Sequence, residues 1–313
     1  MKNRLNVDQL VSEILKDYEK GRDIDKMDVR NQPDQKVVLE IVEKLLRIMF
    51  PGYYRDRIYK GYSERLRLGV LIEDVVYNLQ EQVKIVLRGR EDLADASDER
   101  IEVMAEDIAD SFAQKIPMLR EYIDTDLQAT LDGDPAASGK DEIVLSYPGL
   151  YAIVLYRIAH ELYVMNVPLI PRMITEYAHG KTGIDINPGA TVGKYFFIDH
   201  GTGIVIGETT EIGEHVKIYQ GVTLGALSTR QGQALRGRKR HPTLGNYVTV
   251  YSGASILGGE SVIGDGAVIG SNAFITSSVK PGARVSIQQQ TQGGADRKES
   301  QPTGQSETWF YVI

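Results

Sequence analysis

Hydrophobic positions along the chain follow two different periods, and the change falls near residue 180. Before it, apolar residues recur three and four positions apart, as they do on one face of a helix. This pattern predicts an all-α N-terminal domain over residues 1–182. The apolar stripes lie at Val37–Met49, Leu68–Leu79 and Ile101–Ile116, and further helices are predicted after residues 146–149 and after Pro171.

From Gly183 onward an aliphatic residue returns about every six positions, often followed by glycine. Six is neither the period of a strand nor that of a helix. A coil of three short strands fits if each side takes six residues, with the aliphatic side chain inside a narrow prism and glycine at the corner. The pattern predicts a left-handed parallel β-helix of hexapeptide repeats over residues 183–285. Its inward positions are Ile186, Val192, Ile198, Ile206, Ile212, Ile218, Leu224, Leu244, Val250, Ile256, Ile263, Ile269 and Ile275.

Residues 286–313 form a third segment, rich in Gln, Gly and Ser, for which we predict a disordered C-terminal tail. The segment nevertheless ends in Trp309–Ile313, which includes the single tryptophan of the chain. Aromatic side chains dominate small binding interfaces, so this end is a candidate docking peptide. The alternative is that it folds back onto its own domain, and composition does not decide between the two.

The amino-acid composition excludes several kinds of site and partner. The chain of 313 residues has no cysteine, which rules out a disulfide framework, a thiolate metal site and a cysteine nucleophile. A net charge of -7 argues weakly against a nucleic-acid partner. With no apolar run of signal-peptide or membrane-spanning length, we expect no membrane association and a cytoplasmic protein. No two of the five histidines lie within fourteen residues of each other, so we expect no metal site.

Two breaks in the six-residue register mark candidate chemistry, because repeats that only stack have no reason to insert residues. The first break carries Asp199, His200 and Gly201, and the second runs from Ala226 to Arg240. Asp185 precedes His200 by fifteen residues, close to one coil of about eighteen. Asp185 could therefore orient the His200 imidazole and leave its other nitrogen as a base. The alternative is that Asp185 caps a turn and His200 lies on the surface.

The second break contains a basic loop immediately before His241. Its cations could hold a phosphate or a carboxylate, or could simply be solvated. The loop includes Arg230, Arg236, Arg238, Lys239 and Arg240.

Several motifs resemble the serine O-acetyltransferase family. The resemblance covers about Asp134 to the C-terminus, whereas the repeats alone indicate only the acyltransferase superfamily. It implies transfer of an acetyl group from acetyl-CoA to the hydroxyl of L-serine, which gives O-acetylserine for cysteine biosynthesis. The matching motifs are Asp134–Ala136, Tyr156–His160, Gly183–Ile186, Phe197–Thr209, Gln220–Gly225 and Arg240–Pro242.

The resemblance also implies roles for individual residues. His200 matches the general base and Asp185 its orienting partner. Asp134 and Asp199 match the ligands of the substrate ammonium, and Arg240 and His241 those of its carboxylate. His241 or a backbone N–H is a candidate donor to the oxyanion. Acetyl-CoA is the implied co-substrate, in a groove between neighbouring solenoids. Its predicted contacts are Gly225, Ala226, Ser252, Gly253, Gly270 and Ser271.

The family resemblance further implies a homotrimer with active sites shared between subunits, while pairing of two trimers stays open. It implies feedback inhibition by cysteine, and docking of Val312 and Ile313 into O-acetylserine sulfhydrylase, the next enzyme. Two alternatives remain at this point. One is a solenoid O-acetyltransferase for a sugar or another small hydroxyl acceptor, and the other is a scaffold that only docks the sulfhydrylase.

Overall fold

The computed structural model describes residues 5–25, 32–54, 63–228, 230, 232–235 and 237–286. In this part of the chain, seven α-helices precede fourteen short strands. The helices are α1 (Val7–Tyr18), α2 (Gln35–Met49), α3 (Glu64–Arg88), α4 (Asp98–Gly133), α5 (Lys140–Ser146), α6 (Pro148–Val164) and α7 (Ile170–Thr182). No single helix among these residues is long and apolar enough to cross a membrane.

The predicted stripes form the helical core, with one correction in α3. Side-chain caps from Asp34, Ser63 and Ser97 start α2, α3 and α4. In α3, however, Leu68 and Val70 are exposed, although both were predicted on the buried face. The buried face of α3 starts further along the helix, because Leu68 lies in its early turns and Val70 points away from that face. The buried positions of α3 are Val75, Leu79, Gln82, Val83, Val86 and Leu87.

Helix α4 extends well beyond the predicted stripe and carries the chain to the β-helix. It continues through Pro117 to Gly133. Its apolar stripe resumes at Leu119, Ile123 and Leu127, all buried, and this packing offsets the backbone hydrogen bond that proline cannot donate. As a result, Asp134 stands directly at the C-terminal cap of α4.

The second part is a left-handed parallel β-helix of about five coils, as the six-residue period predicted. Its strands are β1 (Asp185–Ile186), β2 (Thr191–Val192), β3 (Phe197–Asp199), β4 (Val205–Ile206), β5 (Glu211–Ile212), β6 (Lys217–Tyr219), β7 (Thr223–Gly225), β8 (Thr243–Leu244), β9 (Thr249–Val250), β10 (Ser255–Leu257), β11 (Val262–Ile263), β12 (Val268–Ile269), β13 (Phe274–Ile275) and β14 (Arg284–Val285). All thirteen predicted inward aliphatics are buried. Burial of this aliphatic column stabilises the stack of coils.

The strands form three parallel faces. Face 1 contains β1, β4, β7, β10 and β13; face 2 contains β2, β5, β8 and β11; and face 3 contains β3, β6, β9, β12 and β14. We call the corner where face 3 turns into face 1 the histidine edge (residues 200–204, 220–222, 251–254 and 270–273). The corner where face 1 turns into face 2 is the arginine edge (residues 207–210, 225–228, 237–242 and 258–261). The two edges border opposite sides of face 1.

The helices are fixed to the first coil by close contacts. Asp126 of α4 and Arg157 of α6 form a buried ion pair, 2.5 Å between Oδ2 and Nε. Asp126 also accepts the backbone N–H of Phe196, and Arg157 donates to the carbonyl of Gly193. At Gly149 a Cβ atom would lie 2.3 Å from the carbonyl oxygen of Ile198, so only glycine permits this approach of α6 to β3. These contacts set the position of α4 and α6 against the coil that carries the histidine edge.

Helix α7 ends at Thr182 and β1 begins at Asp185, next to the predicted domain boundary. The C-terminal tail after Ser286, with Val312 and Ile313, lies outside the described residues, as does Arg236. Predictions about these residues stay predictions.

Candidate functional site

His200 projects from the histidine edge because two residues are inserted there. Asp199 pairs with Tyr219 of the next coil, and the carbonyl of Thr202 accepts the N–H of Gly221. His200 and Gly201 between them have no counterpart in that coil. Both adopt left-handed backbone conformations, with φ of 55° and 86°. The insertion leaves the His200 side chain 56% exposed at the edge of the prism, where a substrate can reach it.

A pair of carboxylates lies beside His200. Asp134 accepts the backbone N–H of Ala136 through Oδ1 (2.8 Å) and the hydroxyl of Tyr147 through Oδ2 (2.6 Å). The hydrogen bond to Asp134, followed by burial, raises the pKa of Tyr147 to about 12. The Asp199 carboxylate lies 3.8 Å from Nε2 of His200. Burial raises the pKa of Asp199; His200 opposes this shift and Asp134 adds to it. A bound cation would relieve the repulsion between the two carboxylates.

Asp185 lies at the start of face 1, next to the histidine edge, but it faces a different partner. Among the described residues, no hydrogen bond joins Asp185 to His200. Instead, Oδ1 of Asp185 lies 3.7 Å from Nη1 of Arg172. Arg172 also pairs with Glu176, which lies 3.5 Å from Nδ1 of His179. The role predicted for Asp185 as the partner of His200 stays a prediction.

The same neighbourhood contains a compact group of possible metal ligands. Single ligand atoms of Glu176, His179 and Asp185 all lie within 4.8 Å of one another. Arg172 pairs with both carboxylates of this group, so its single positive charge offsets part of theirs.

On the arginine edge, His241 is buried and held by one residue. Its Nδ1 accepts the backbone N–H of Thr209 at 3.0 Å and lies 2.9 Å from the Thr209 hydroxyl. Burial, followed by the charge of Arg240, lowers the pKa of His241 to about 4. The imidazole is therefore neutral at pH 7, with its proton on Nε2 because a backbone N–H can only donate. A Cβ atom at Gly207 would meet this ring at 2.0 Å, so the ring needs glycine there.

Arg240 is held by its own set of contacts. Its guanidinium pairs with Glu208, and Nη1 donates to the carbonyl of Leu235 at 3.3 Å. Glu208 also accepts the hydroxyl of Tyr163 at 3.0 Å. Arg240 lines a cavity of about 240 Å³ together with residues of the second register break and of the two following coils. The other lining residues are Ala226, Leu227, Ser228, Gly258, Gly259, Glu260, Ser261 and Thr276.

The residues predicted to bind acetyl-CoA divide between the same two edges. Gly225 and Ala226 lie at the arginine edge, and Ala226 lines the cavity beside Arg240. The other four lie at the histidine edge, in the next two coils after the one that contains Gln220 and Gly221. There, Oγ of Ser252 is 3.3 Å from Oγ of Ser271. These four are Ser252, Gly253, Gly270 and Ser271.

The two halves of the predicted serine site therefore lie on opposite sides of face 1. His200 is at the histidine edge, with Asp199 directly before it and Asp134 near Asp199, while Arg240 and His241 are at the arginine edge. A side of six residues at about 3.3 Å each spans roughly 15–20 Å. A free amino acid is far shorter. One chain alone cannot close both halves on one substrate.

Sequence reasoning did not assign a role to Tyr147, Glu208 or Thr209. Glu208 and Thr209 directly follow Gly207 within a motif that carried the family resemblance, which is the signal that pointed to them. Tyr147 immediately precedes α6, and nothing in the sequence indicates that its hydroxyl reaches Asp134. Each of the three hydrogen-bonds to a predicted ligand: Tyr147 to Asp134, Glu208 to Arg240 and Thr209 to His241.

A hexapeptide β-helix with a projecting histidine, paired carboxylates and a separate cationic edge defines an acyltransferase of the hexapeptide-repeat class. No family model matches the chain. A serine acetyltransferase of Synechococcus elongatus is 37% identical over 231 residues, 72% of each chain. The Helicobacter pylori serine acetyltransferase is 50% identical over 131 residues, which is 42% of this chain and 73% of that protein.

Solved structures agree with these relatives. Serine acetyltransferase 1 of Entamoeba histolytica, in complex with L-cysteine, superposes with a TM-score of 0.68 at 35% identity, covering 82% of this chain and 87% of that one. The Neisseria gonorrhoeae enzyme in complex with serine gives 0.51 at 25% identity, covering 80% and 93%. The chain belongs to the serine acetyltransferase family. It is an acyltransferase that acetylates serine to O-acetylserine, in cysteine biosynthesis.

Proposed function

We propose that the serine site is built from the histidine edge of one chain and the arginine edge of a neighbour in a homotrimer. The single observation that carries this is the division of both predicted residue sets, for serine and for acetyl-CoA, between the same two edges of face 1. A cyclic trimer brings unlike edges of neighbouring prisms together three times. Each interface then holds one complete site, and a monomer has none.

The histidine edge binds the ammonium group of serine. Asp134 and Asp199 supply the negative charge, and their mutual repulsion is relieved when a cation enters between them. The Tyr147 hydroxyl occupies one oxygen of Asp134 and keeps that carboxylate oriented. A sugar has no ammonium group, so this pair favours an amino acid over a sugar acceptor.

The neighbour's arginine edge binds the carboxylate of serine. The Arg240 guanidinium provides a charge-assisted donor, and Glu208 fixes its direction. His241 contributes a neutral Nε2–H donor, either to the carboxylate or to the oxyanion that forms on the acetyl group. Because its Nδ1 already accepts a hydrogen bond and its pKa is about 4, His241 is unsuited to act as the base.

His200 is the general base. It takes the proton from the serine hydroxyl as the oxygen attacks the thioester carbonyl of acetyl-CoA. The C–S bond then breaks, and the protonated His200 returns its proton to the departing CoA thiolate. Asp185 orients the imidazole after a shift of its carboxylate away from Arg172. Acetyl-CoA lies between the prisms, with its thioester beside Arg240 and Ala226 and its arm along Ser252, Gly253, Gly270 and Ser271.

One assay separates this function from the two alternatives. Purified protein is given acetyl-CoA with serine, homoserine or a sugar, and the released CoA thiol is measured. We expect release with serine, and Asp134→Asn and Arg240→Ala should each raise the KM for serine about tenfold or more. Release with a sugar alone would indicate the sugar O-acetyltransferase. No thiol release with any acceptor would indicate a scaffold that only docks the sulfhydrylase.

Cysteine differs from serine only by sulfur in place of oxygen, so we propose that it inhibits by occupying the same composite site. The Entamoeba histolytica relative forms a complex with L-cysteine, which supports this proposal. Inhibition should be competitive with serine, and Asp134→Asn should weaken cysteine and serine together. Weakened serine binding with unchanged inhibition by cysteine would place cysteine elsewhere.

We further propose that the protein works in the cytoplasm and that its C-terminus docks into O-acetylserine sulfhydrylase. The sequence features in support are the absence of cysteine, which fits a reducing compartment, and an apolar end on a polar segment. Deleting Ile313 should abolish binding to the sulfhydrylase and leave acetyl transfer intact. Unchanged affinity in a titration of the two purified enzymes would refute the docking role.

A further inference from the structure

Thr209 contacts the segment that carries the predicted carboxylate ligands through both its backbone and its side chain. Its Oγ1 accepts the backbone N–H groups of Arg240 (2.9 Å) and His241 (3.1 Å). Its carbonyl accepts Nζ of Lys239 at 2.6 Å. Its own N–H and hydroxyl lie at 3.0 and 2.9 Å from Nδ1 of His241. One residue of the β4–β5 corner therefore contacts three consecutive residues, the last two of the second register break and His241 directly after it.

These contacts fix the direction of each proton. A hydroxyl oxygen that accepts two N–H groups has used both lone pairs and has one proton left to donate. The acceptor in reach is Nδ1 of His241, which also accepts the Thr209 N–H. Nδ1 is therefore unprotonated, and the neutral ring carries its proton on Nε2. That nitrogen lies over Gly207, where a Cβ atom would approach it to 2.2 Å.

We propose that Thr209 is a positioning residue: it locks His241 in the Nε2–H tautomer and presents that proton to the serine site. The proposal deepens the function above and rests on His241 facing the substrate. Without the lock, either nitrogen could carry the proton. An Nδ1–H ring would turn a lone pair toward the substrate carboxylate or oxyanion and repel it.

Charged groups around His241 do not by themselves select the tautomer. Arg240 and Lys239 disfavour the imidazolium, and Glu208 favours it. These charges affect whether the ring becomes the imidazolium. The N–H and O–H groups of Thr209 determine which ring nitrogen of the neutral form accepts hydrogen bonds. Loss of the hydroxyl leaves the backbone N–H of residue 209 as the remaining donor to Nδ1, and it removes the acceptor that holds the backbone N–H groups of Arg240 and His241 close to that donor.

The direct test is NMR of the full-length enzyme labelled with ¹⁵N-histidine, which gives only five imidazoles to assign. The His241 signals are identified by their loss in His241→Gln. We expect the Nε2–H pattern in the wild type, with no titration between about pH 5.5 and 8. Thr209→Ser, which keeps the hydroxyl, should match the wild type. Thr209→Val keeps the backbone N–H but no longer holds the His241 backbone, so the ring should lose its remaining hydrogen bond part of the time and show some Nδ1–H tautomer or a titration within that range. An Nδ1–H or doubly protonated ring in the wild type overturns the proposal without any variant.

Kinetics then connect the tautomer to the reaction. We expect Thr209→Val to raise the KM for serine or lower kcat about tenfold, and to move the acid limb of the pH profile upward. Thr209→Ser should stay within about twofold of the wild type. Wild-type tautomer and wild-type kinetics in a folded Thr209→Val would refute the positioning role. Wild-type kinetics in His241→Gln would instead refute the role of His241 in the proposed function, whatever tautomer Thr209 selects.

Discussion

Mixed trimers of two inactive variants give the sharpest test of the composite site. His200→Ala removes the base at the histidine edge, and Arg240→Ala removes the carboxylate ligand at the arginine edge. Each variant alone has one defect at every interface and should be nearly inactive. When the two are co-expressed, an interface is intact if its histidine edge comes from the Arg240→Ala chain and its arginine edge from the His200→Ala chain.

The expected recovery follows from counting interfaces. In a cyclic trimer of two chain types, every mixed trimer has one intact interface of three, whichever type is in excess. Random assembly of equal amounts makes about three quarters of the trimers mixed, so about one quarter of the wild-type activity per chain should return. The wild type co-expressed with the double variant should also retain about one quarter, because both edges of an interface must then come from wild-type chains.

The assay is CoA thiol release at limiting serine, on the whole trimer population, with different tags on the two chains used only to show that mixed trimers have formed. A site within one chain predicts a different outcome for both mixtures. The two single variants would then recover nothing, and the wild type with the double variant would keep about one half. Either of these results, in trimers shown to be mixed, refutes the division of the site between the two edges.

Three further predictions concern the base, the stability in acid and the helix contact. His200→Ala should lower kcat by about 10² to 10⁴ while the Kd for CoA, measured by calorimetry, stays unchanged; retained turnover would assign the base elsewhere. The pKa of His241 is lowered from 6.5 to about 4. The unfolded chain therefore binds the extra proton first, so stability is full above pH 6.5 and falls by up to about 3 kcal/mol as the pH drops toward 4. His241→Gln should flatten this part of the Tm against pH curve, and an identical slope would contradict the assignment. Gly149→Ala should lower the free energy of unfolding by about 1–3 kcal/mol, because the added methyl group clashes with β3. Gly180→Ala is the control: a Cβ atom there has nothing within 4 Å, so the variant should be as stable as the wild type or more stable. Equal Tm values for the two variants would count against the contact.

Much of the β-helix could be predicted from sequence because its rule is local. Each coil repeats the same requirement, an aliphatic side chain inside and a small residue or glycine at the corner, so the period is visible without knowing what packs against what. The two-residue insertion at His200 was visible for the same reason, since it interrupts a strict register. The structure confirms both, with the aliphatic column buried and His200 projecting from the edge.

Helical positions were predicted less completely. The sequence pattern predicts an apolar stripe only over Ile101–Ile116, yet α4 continues to Gly133 because tertiary packing of Ile123 and Leu127 outweighs the missing backbone donor at Pro117. This difference matters for function, because the extended helix delivers Asp134 to the first coil.

By itself, the sequence determined the fold of the second half, the candidate base and, through its motifs, the family. Only the tertiary structure decided which of the candidates meet. Tyr147 reaches Asp134, Thr209 reaches His241 and Glu208 reaches Arg240, although each pair is well separated in the chain. It also separated the two halves of the serine site onto opposite edges of one face. The hydrophobic period and the composition show which residues are buried and which carry polar chemistry. Which side chain hydrogen-bonds to which depends on how the helices and coils pack in three dimensions.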